Sequence, residues 1–571
     1  MTFLLNDPSD FPTELANGFL AANKRYVRKV FGGAVRATKS RPGKVALVVG
    51  GGTGHHPAFA GWVGQGMADG VVFGNIFSSP SAAQAASVGR AADHGGGVVI
   101  AFGNYAGDVL HFGQAVETLK AEGIESSIAV VTDDIASAPP EEEHKRRGIC
   151  GWVTVFKVTG AACEEGRSLS EVLDVFANVN HRTRTLGVAF SGCTLPGADG
   201  PLFTVPEGKM GVGLGVHGEP GIYDADLGTA DDVAQLLVDG LLKDRPDNAG
   251  DRVIALLNGL GSTTYEELFV TYGAVERLLG EAGVTVVDCE VGELTTSLDM
   301  GGVSLSLTWT DDEIERLWAA PCDTPSVRRG SVEAGEPIDD AELATEAPAL
   351  AVAKPGSPES QAVAAALVLG LEAVLTTLKE QGDELGRLDA FAGDGDHGVG
   401  MVRGAENGLD AARQLVALQG GAMTVLAGAG AQWSEQAGGT SGALWGAALA
   451  AAGAALGDDD PADAAAHARA ARAALDALVR VGGAELGDKT MLDAFIPTVH
   501  RLEAEIEAGT PVAQAWARAA DTAEESAQAT APLRPLIGRA RPLAERSIGH
   551  PDAGAVSFAH IVRTVADQLA R

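Results

Sequence analysis

The sequence predicts two unlike parts: an α/β amino-terminal domain of two lobes, then an all-α carboxy-terminal bundle of about eight helices. Three observations carry this. Up to about residue 330, short β-branched runs alternate with helical patterns. From residue 359 the apolar spacing is helical almost throughout. Residues 325–358 between them are acidic, contain Pro and Ala, and hold no sustained period, as a linker does.

In the first part KVALVVG (44–50), GVVIAF (97–102), SIAVVT (127–132) and RVIALLNG (252–259) have the length and branching of buried strands. SAAQAASVGRAADH and FGQAVETLKAEG place helical spacing between strands. That alternation implies a substantially parallel sheet. Near 285–310 strand follows strand, which suggests the second lobe. In the last part QAVAAALVLGLEAVLTTLK, ADAAAHARAARAALDALVRV, AVSFAHIVRTVADQLA and similar stretches build the helical bundle. The domains so read are 1–324, a linker at 325–358, and 359–571.

Composition narrows the function. A chain of 571 residues with 46% apolar and 21% charged residues is of ordinary soluble globular type. Acids outnumber bases 76 to 42, a formal charge of −34. Such a surface repels nucleic-acid backbones and anionic membranes, so any anionic ligand needs local donors or cations. Cys150, Cys163, Cys193, Cys289 and Cys322 are odd in number and without metal-ligand spacing, which points to a reducing compartment. The first residues, MTFLLNDPSDF, lack a signal-peptide pattern, so the expected location is cytoplasmic. The uncharged stretch 437–457 is Ala and Gly laced with Ser and Thr, and reads as a buried helix with its preceding loop rather than a membrane span.

Four segments carry chemistry. GGGTGHHP (50–57) follows a strand; its glycines make either a tight strand–helix turn or a loop whose amides reach a ligand, with His55 and His56 at the sheet edge where open α/β sheets bind. GNYAGDVLHF (103–112) puts Asp108 at a helix start, as an N-cap or as a carboxylate that accepts a hydroxyl proton. MGVGLGVHGEPG (210–221) matches the dinucleotide pattern Gly213-x-Gly215-x-x-Gly218 only formally, and presents His217 as a nucleophile or base. In LDAFAGDGDHG (388–398), Asp389, Asp394 and Asp396 form either a solvated acidic turn or a site for Mg²⁺ shared with phosphate oxygens. With a triphosphate present, three carboxylates call for two divalent ions. GGTSG (438–442), GDKTMLDAF (487–495) and ERSIGHPDAGA (545–555) add loop signatures, the first suited to phosphate at a helix N-terminus.

Together these motifs, in this order along nearly the whole chain, resemble the ATP-dependent single-chain dihydroxyacetone kinase family. GGGTGHHPAFAGWVGQGM, GNYAGDVL, KRRGICGW, GVGLGVHGEPG, LLNGLGSTT and TSLDMGG resemble its ketone-binding domain, and LDAFAGDGDHG, GGTSGALWG, GDKTMLDA and LAERSIGHPDAGA its nucleotide domain. The resemblance implies that His217 captures the substrate ketone as a covalent hemiaminal, that Asp108 takes the proton of the phosphorylated hydroxyl, and that His55 assists. It implies Gly52, Thr53, Gly54, His55, Gly103 and Asp108 at the substrate. It places His397, Gly398, Thr440, Ser441, Thr490, Met491, Asp552 and Gly554 at ATP, with Asp389, Asp394 and Asp396 on two Mg²⁺ ions. It also implies that the all-α carboxy-terminal part is a helical barrel of about eight antiparallel helices, and that the chain forms a homodimer in which one subunit's nucleotide domain meets the other's substrate domain.

Two departures stand out. His56 replaces the family's Glu, and Gly103 replaces its Lys. Loss of that Lys opens space beside a small ketose, so four-carbon erythrulose is expected to react at least as well as dihydroxyacetone. The alternatives are a strict dihydroxyacetone kinase, a ketose-binding regulator, a cyclase acting on FAD, and an NAD-dependent oxidoreductase built on GLGVHG.

Overall fold

The structure is a computed structural model describing residues 4–217, 219, 221–247, 249–347, 350–391, 393, 395–537 and 544–571. It divides into two compact units, 1–347 and 348–571.

Unit 1 opens with α1 (Phe11–Ala22), followed by β1 (Val27–Val30), β2 (Gly33–Arg36), β3 (Ala46–Thr53), β4 (Gly70–Ile76), α2 (Ala82–Ala92), β5 (Val98–Gly103), α3 (Ala106–Ala121) and β6 (Ser126–Val131). The six strands form one sheet in the order β1-β2-β4-β3-β5-β6, with β4, β3, β5 and β6 mutually parallel. Then come α4 (Trp152–Glu165), α5 (Leu169–His181), β7 (Thr183–Ala189), β8 (Lys209–Val212), β9 (Tyr223–Asp226), α6 (Ala230–Lys243), β10 (Arg252–Gly259), α7 (Tyr265–Glu281), β11 (Thr285–Gly292), β12 (Gly302–Trp309) and α8 (Asp312–Ala319). Their sheet runs β11-β10-β12-β7-β8-β9. The parallel expectation holds for the centre of the first sheet. In the second only β10 and β11 run parallel, because β8–β9 and the β10–β12–β7 pairs are antiparallel.

Alternation along the strands sorts the core. Ala46, Val48, Val98 and Ile100 pack with Ala85, Val88, Phe112 and Leu119 of α2 and α3. Their neighbours Leu47, Val49, Val99 and Ala101 face the other way, onto Val155 and Phe156 of α4 and Val172 and Phe176 of α5. Ile254 and Leu256 of the second sheet join that same cluster, whereas Val253, Ala255 and Leu257 pack under α6 and α7. Helix α4 thus lies between two sheets, and every residue from Trp152 to Cys163 is buried. Lys157 within it donates to the Leu317 carbonyl (3.0 Å), so the one buried cation of the helix is hydrogen-bonded.

Unit 2 contains α9 (Pro358–Asp389), α10 (His397–Ala417), α11 (Ala422–Ala437), α12 (Gly439–Leu456), α13 (Ala464–Gly482), α14 (Leu492–Glu507), α15 (Val512–Ala529), the single turn α16 (Ala544–Ser547) and α17 (Ala553–Leu569). Each long helix packs on the next, and α17 returns to α9, so eight long helices among the described residues close a barrel. Ser357 caps α9 through the Ser360 amide, and Pro358 occupies its first turn. The Ala/Gly stretch 437–457 is chiefly α12, which crosses α11 so closely that a methyl on Gly446 would stand 2.7 Å from Ser434. By length and composition α9 and α12 could each cross a membrane; both are members of the barrel wall.

The segment 325–358 is shared between the units. Thr38 pairs with Pro337, the Ile338 amide donates to Ala37, and Ile338 and Leu343 pack beside α2 and α3. Leu350 and Val352 lie against the barrel core, where the Gly356 amide donates to Gln419.

Candidate active site

The carboxyl ends of β3 and β5 meet the loop after β8 inside unit 1. Strand β3 runs further than predicted, through Gly50–Thr53, so GGGT is strand rather than loop. Its glycines answer crowding from the protein itself. Added methyls would stand 2.8 Å from Phe59 at Gly51, 2.7 Å from the Phe77 backbone at Gly52, and 2.8 Å from the Phe77 ring at Gly54. Thr53 ends the strand with a buried hydroxyl that has no hydrogen-bond partner. Beyond it His55 is fully buried, its Nδ1 2.9 Å from the Thr296 carbonyl. A carbonyl only accepts, so Nδ1 carries the proton and Nε2 presents a lone pair. That Nε2 is buried without a partner. Burial, and then the neighbouring His217, push the pKa of His55 down to about 3, so it is neutral in ordinary buffers.

His217 sits among rings. Tyr105 meets it edge-on at 4.3 Å between centroids, His55 at 4.8 Å and Phe77 at 5.6 Å. Its amide donates to Glu219 Oε2 (2.9 Å), and its Nδ1 lies 3.5 Å from Glu219 Oε1. Burial would raise the Glu219 pKa, but His217 and Arg147 hold it well below the usual carboxylate range. A charged carboxylate on Nδ1 favours the proton there and leaves Nε2 as the nucleophilic nitrogen. The glycine-rich segment follows an antiparallel strand, β8, and opens no helix, so the dinucleotide pattern has none of the context it requires. Gly218 lies outside the described residues.

Asp108 is buried in the first turn of α3, at the same sheet edge. The N-cap position belongs to Tyr105, so Asp108 does not cap the helix. His56 is exposed, its ring 6.0 Å from Phe19 of α1.

Gly103 corrects the expectation of open space. A methyl there would stand 2.8 Å from Trp152, 3.0 Å from Tyr105 and 3.1 Å from the Gly148 carbonyl. The room is filled by Trp152, tied through its indole to Thr295 (2.8 Å), and by Tyr105, whose hydroxyl donates to Gly148 (3.0 Å). Gly103→Ala should therefore destabilise unit 1 by about 1–3 kcal/mol through overpacking. Denaturant unfolding of the variant checks this; unchanged stability would contradict the packing described.

In unit 2 the predicted nucleotide residues collect where helices begin. His397, first in α10, reaches Ser557 of α17 through Nε2 (2.9 Å) and Ser441 of α12 through Nδ1 (3.3 Å). Gly438 and Gly439, at φ 63° and 57°, let the chain turn from α11 straight into α12, exposing the first-turn amides of Thr440 and Ser441. A methyl on Gly554 would stand 3.4 Å from Met491, which joins the start of α17 to that of α14. Four helix N-termini so gathered favour an anion. Gly398 serves a different contact: a methyl there would stand 2.0 Å from the Gly382 carbonyl, where α10 crosses α9. The Thr490 hydroxyl accepts from the Leu492 amide (3.2 Å).

Against these donors stand carboxylates. Asp389 Oδ2 accepts the Gly395 amide (2.9 Å), and Asp552 caps α17 through the Ala555 amide (2.8 Å). Burial first, then repulsion from Asp389, raises Asp396 to about 7, with Arg403 opposing. Burial raises Asp552 to about 7 as well. Facing acids that resist ionisation together suit divalent cations. Asp394 lies outside the described residues, and among those described no three acid, His or Cys side chains form a ready metal cluster.

Glu219, Arg147, Tyr105, Phe77 and Thr296 were not singled out from the sequence. All but Phe77 lay in motifs that drew notice: Glu219 two residues after His217, Arg147 in KRRG, Tyr105 in GNYAGDVL and Thr296 in TSLDMGG. Ser557 and the stacked pair Phe391–His550 (3.5 Å, 11°) were likewise missed.

Residues 17–326 match the Dak1 domain and residues 391–567 the DAK2 domain. The chain is 54% identical over 570 residues to the D-erythrulose kinase of Mycolicibacterium smegmatis, covering 99% of this chain and 98% of the relative. It is 53% identical over 573 residues to the L-erythrulose kinase of Pectobacterium atrosepticum, covering 100% and 97%. Among solved structures it resembles the dihydroxyacetone kinase of C. freundii in complex with AMP-PNP and Mg²⁺, with TM-score 0.53 and 27% identity over 99% of both chains.

Proposed function

We propose, for a chain that belongs to the dihydroxyacetone kinase family and is an ATP-dependent small-ketose kinase, that it phosphorylates erythrulose after His217 captures the ketone covalently. The observation that carries the reading is the setting of His217: Nδ1 turned to a charged carboxylate, and the ring held between Tyr105, His55 and Phe77.

In the capture step the Nε2 lone pair forms a bond to the carbonyl carbon, and the carbonyl π pair moves to oxygen. That oxygen takes a proton from solvent, while the charge on the imidazolium faces Glu219. Capture selects ketoses over polyols, which offer no carbonyl. The partnerless Nε2 of His55 and hydroxyl of Thr53 are suited to substrate hydroxyls. Asp108 then accepts the proton of the reacting hydroxyl as its oxygen bonds to the γ-phosphorus of ATP and ADP departs. Mg²⁺ neutralises charge on the phosphates. Asp389, Asp396 and, by the resemblance, Asp394 would hold it. The two-ion count and the homodimer belong to the same reading, as does a cytoplasmic location, which four buried unpaired cysteines suit.

Erythrulose is favoured because relatives named for its two enantiomers match the full chain almost equally, at 54% and 53%. The emptied-pocket argument from Gly103 no longer supports it. A coupled ADP-release assay across dihydroxyacetone, glyceraldehyde, both erythruloses and longer ketoses tests the choice. One erythrulose enantiomer should match or exceed dihydroxyacetone in kcat/KM. A roughly tenfold preference for dihydroxyacetone over both would instead establish a strict dihydroxyacetone kinase.

A further inference from the structure

The two arginines of KRRG part company. Arg146 forms a two-pronged pair with Asp244 (2.8 and 2.7 Å), remote from the site. Arg147 turns toward His217. Its Nε and Nη2 hold Asp134 (2.8 and 2.7 Å), Nη2 also donates to the Gly213 carbonyl (3.1 Å), and Nη1 lies 3.8 Å from Glu219 Oε1. The arginine is itself anchored: its amide donates to Ser137 Oγ (2.9 Å), and its carbonyl accepts the Asp134 amide (3.1 Å).

The guanidinium thus touches the Gly213 carbonyl and lies beside Glu219. Gly215 permits this approach: a methyl there would stand 2.1 Å from Glu219 Oε2 and 2.7 Å from Arg147 Nη1. Of the glycines that mimic a dinucleotide fingerprint, Gly215 answers to this packing, whereas a methyl on Gly213 would meet Ala136 at 2.5 Å.

We propose that Arg147, braced by Asp134, is a positioning residue for ketone capture: it fixes the Glu219 carboxylate against Nδ1 of His217 and so keeps Nε2 directed at the substrate. The inference deepens the proposed function and rests on it. The arginine does not touch the ketose; it acts through Glu219. Among the described residues Glu219 Oε1 has no hydrogen-bond partner, and the flanking guanidinium and imidazole favour its charged form. The other titratable groups that face this centre are His55, Tyr105, Asp133, Asp134 and Cys193. Of these His55 is neutral, and burial raises both Tyr105 and Cys193, so neither adds a compensating cation.

The test uses the full-length enzyme with erythrulose and ATP. Arg147→Lys keeps a cation without the fork. Arg147→Gln combined with Asp134→Asn removes both members of the pair, so that no buried aspartate is stranded. In the double variant kcat/KM for the ketose should fall about tenfold or more, with KM for ATP unchanged. Without the guanidinium Glu219 takes up a proton more readily. The acid limb of kcat/KM should therefore move to higher pH, with Arg147→Lys between it and the parent. A folded double variant whose acid limb stays at the parent position overturns the inference, even if its rate falls. Should His217→Ala retain ketose turnover, the underlying capture reading fails, whatever Arg147 does.

Discussion

His217→Ala is expected to lower kcat/KM for ketose phosphorylation by about a thousandfold or more, because the covalent step loses its only nucleophile. The fold should survive. His217 sits on a loop outside the strands, and its neighbours Tyr105, His55 and Phe77 are each anchored elsewhere. Native mass spectrometry of the intact parent protein with erythrulose at neutral pH should reveal an adduct that the variant lacks. Turnover by His217→Ala within about tenfold of the parent would remove covalent capture from the mechanism. Because Glu219 faces the ring, Glu219→Gln provides an internal comparison: it preserves shape but withdraws the charge that keeps the Nδ1 proton in place.

The second large effect concerns Mg²⁺. Asp396 rises from 3.8 to about 7 in the folded protein, because it is buried and faces Asp389. The folded state thus holds a proton that the unfolded chain has released, and metal-free stability falls as pH climbs from near 3.8 through about 7. Asp552, raised to about 7 by burial, adds in the same direction. Mg²⁺ removes that penalty but must displace the protons first, so the gain in Tm from Mg²⁺ should be larger at pH 8 than at pH 5.5. Asp396→Asn should make the metal-free protein more stable at pH 8, shrink the Mg²⁺-dependent gain, and lower kcat about a hundredfold or more. Equal Mg²⁺ gains at the two pH values, or a variant with parental activity, would contradict this account. Thermal scans with and without Mg²⁺, paired with ADP release, read both quantities.

Much of this was legible from residue patterns. The β-branched runs at 97–102, 127–132 and 252–259 lie within one residue of β5, β6 and β10, because strands buried on both faces tolerate little but β-branched and aliphatic side chains. A bundle of about eight helices followed from apolar spacing, and its closing into a barrel from the resemblance. Less legible was the mixed second sheet, since strand direction depends on partners far away in the chain. The site divides in the same manner. His55, Asp108, His217 and Asp396 stand in short motifs whose composition already demands chemistry.

What surrounds them does not appear in any local pattern. Thr296 sets the tautomer of His55 across 241 residues, and Arg147 reaches Gly213 across 66. Gly103 is the clearest case: a missing side chain implied a cavity, yet Trp152 and Tyr105 occupy it. Residue identity by itself determined which groups can donate, accept, attack or bind a cation, for those are properties of side chains. Only the tertiary structure decided which nitrogen is free, which carboxylate stays charged and which space is empty, because each depends on atoms that folding brings from distant parts of the chain.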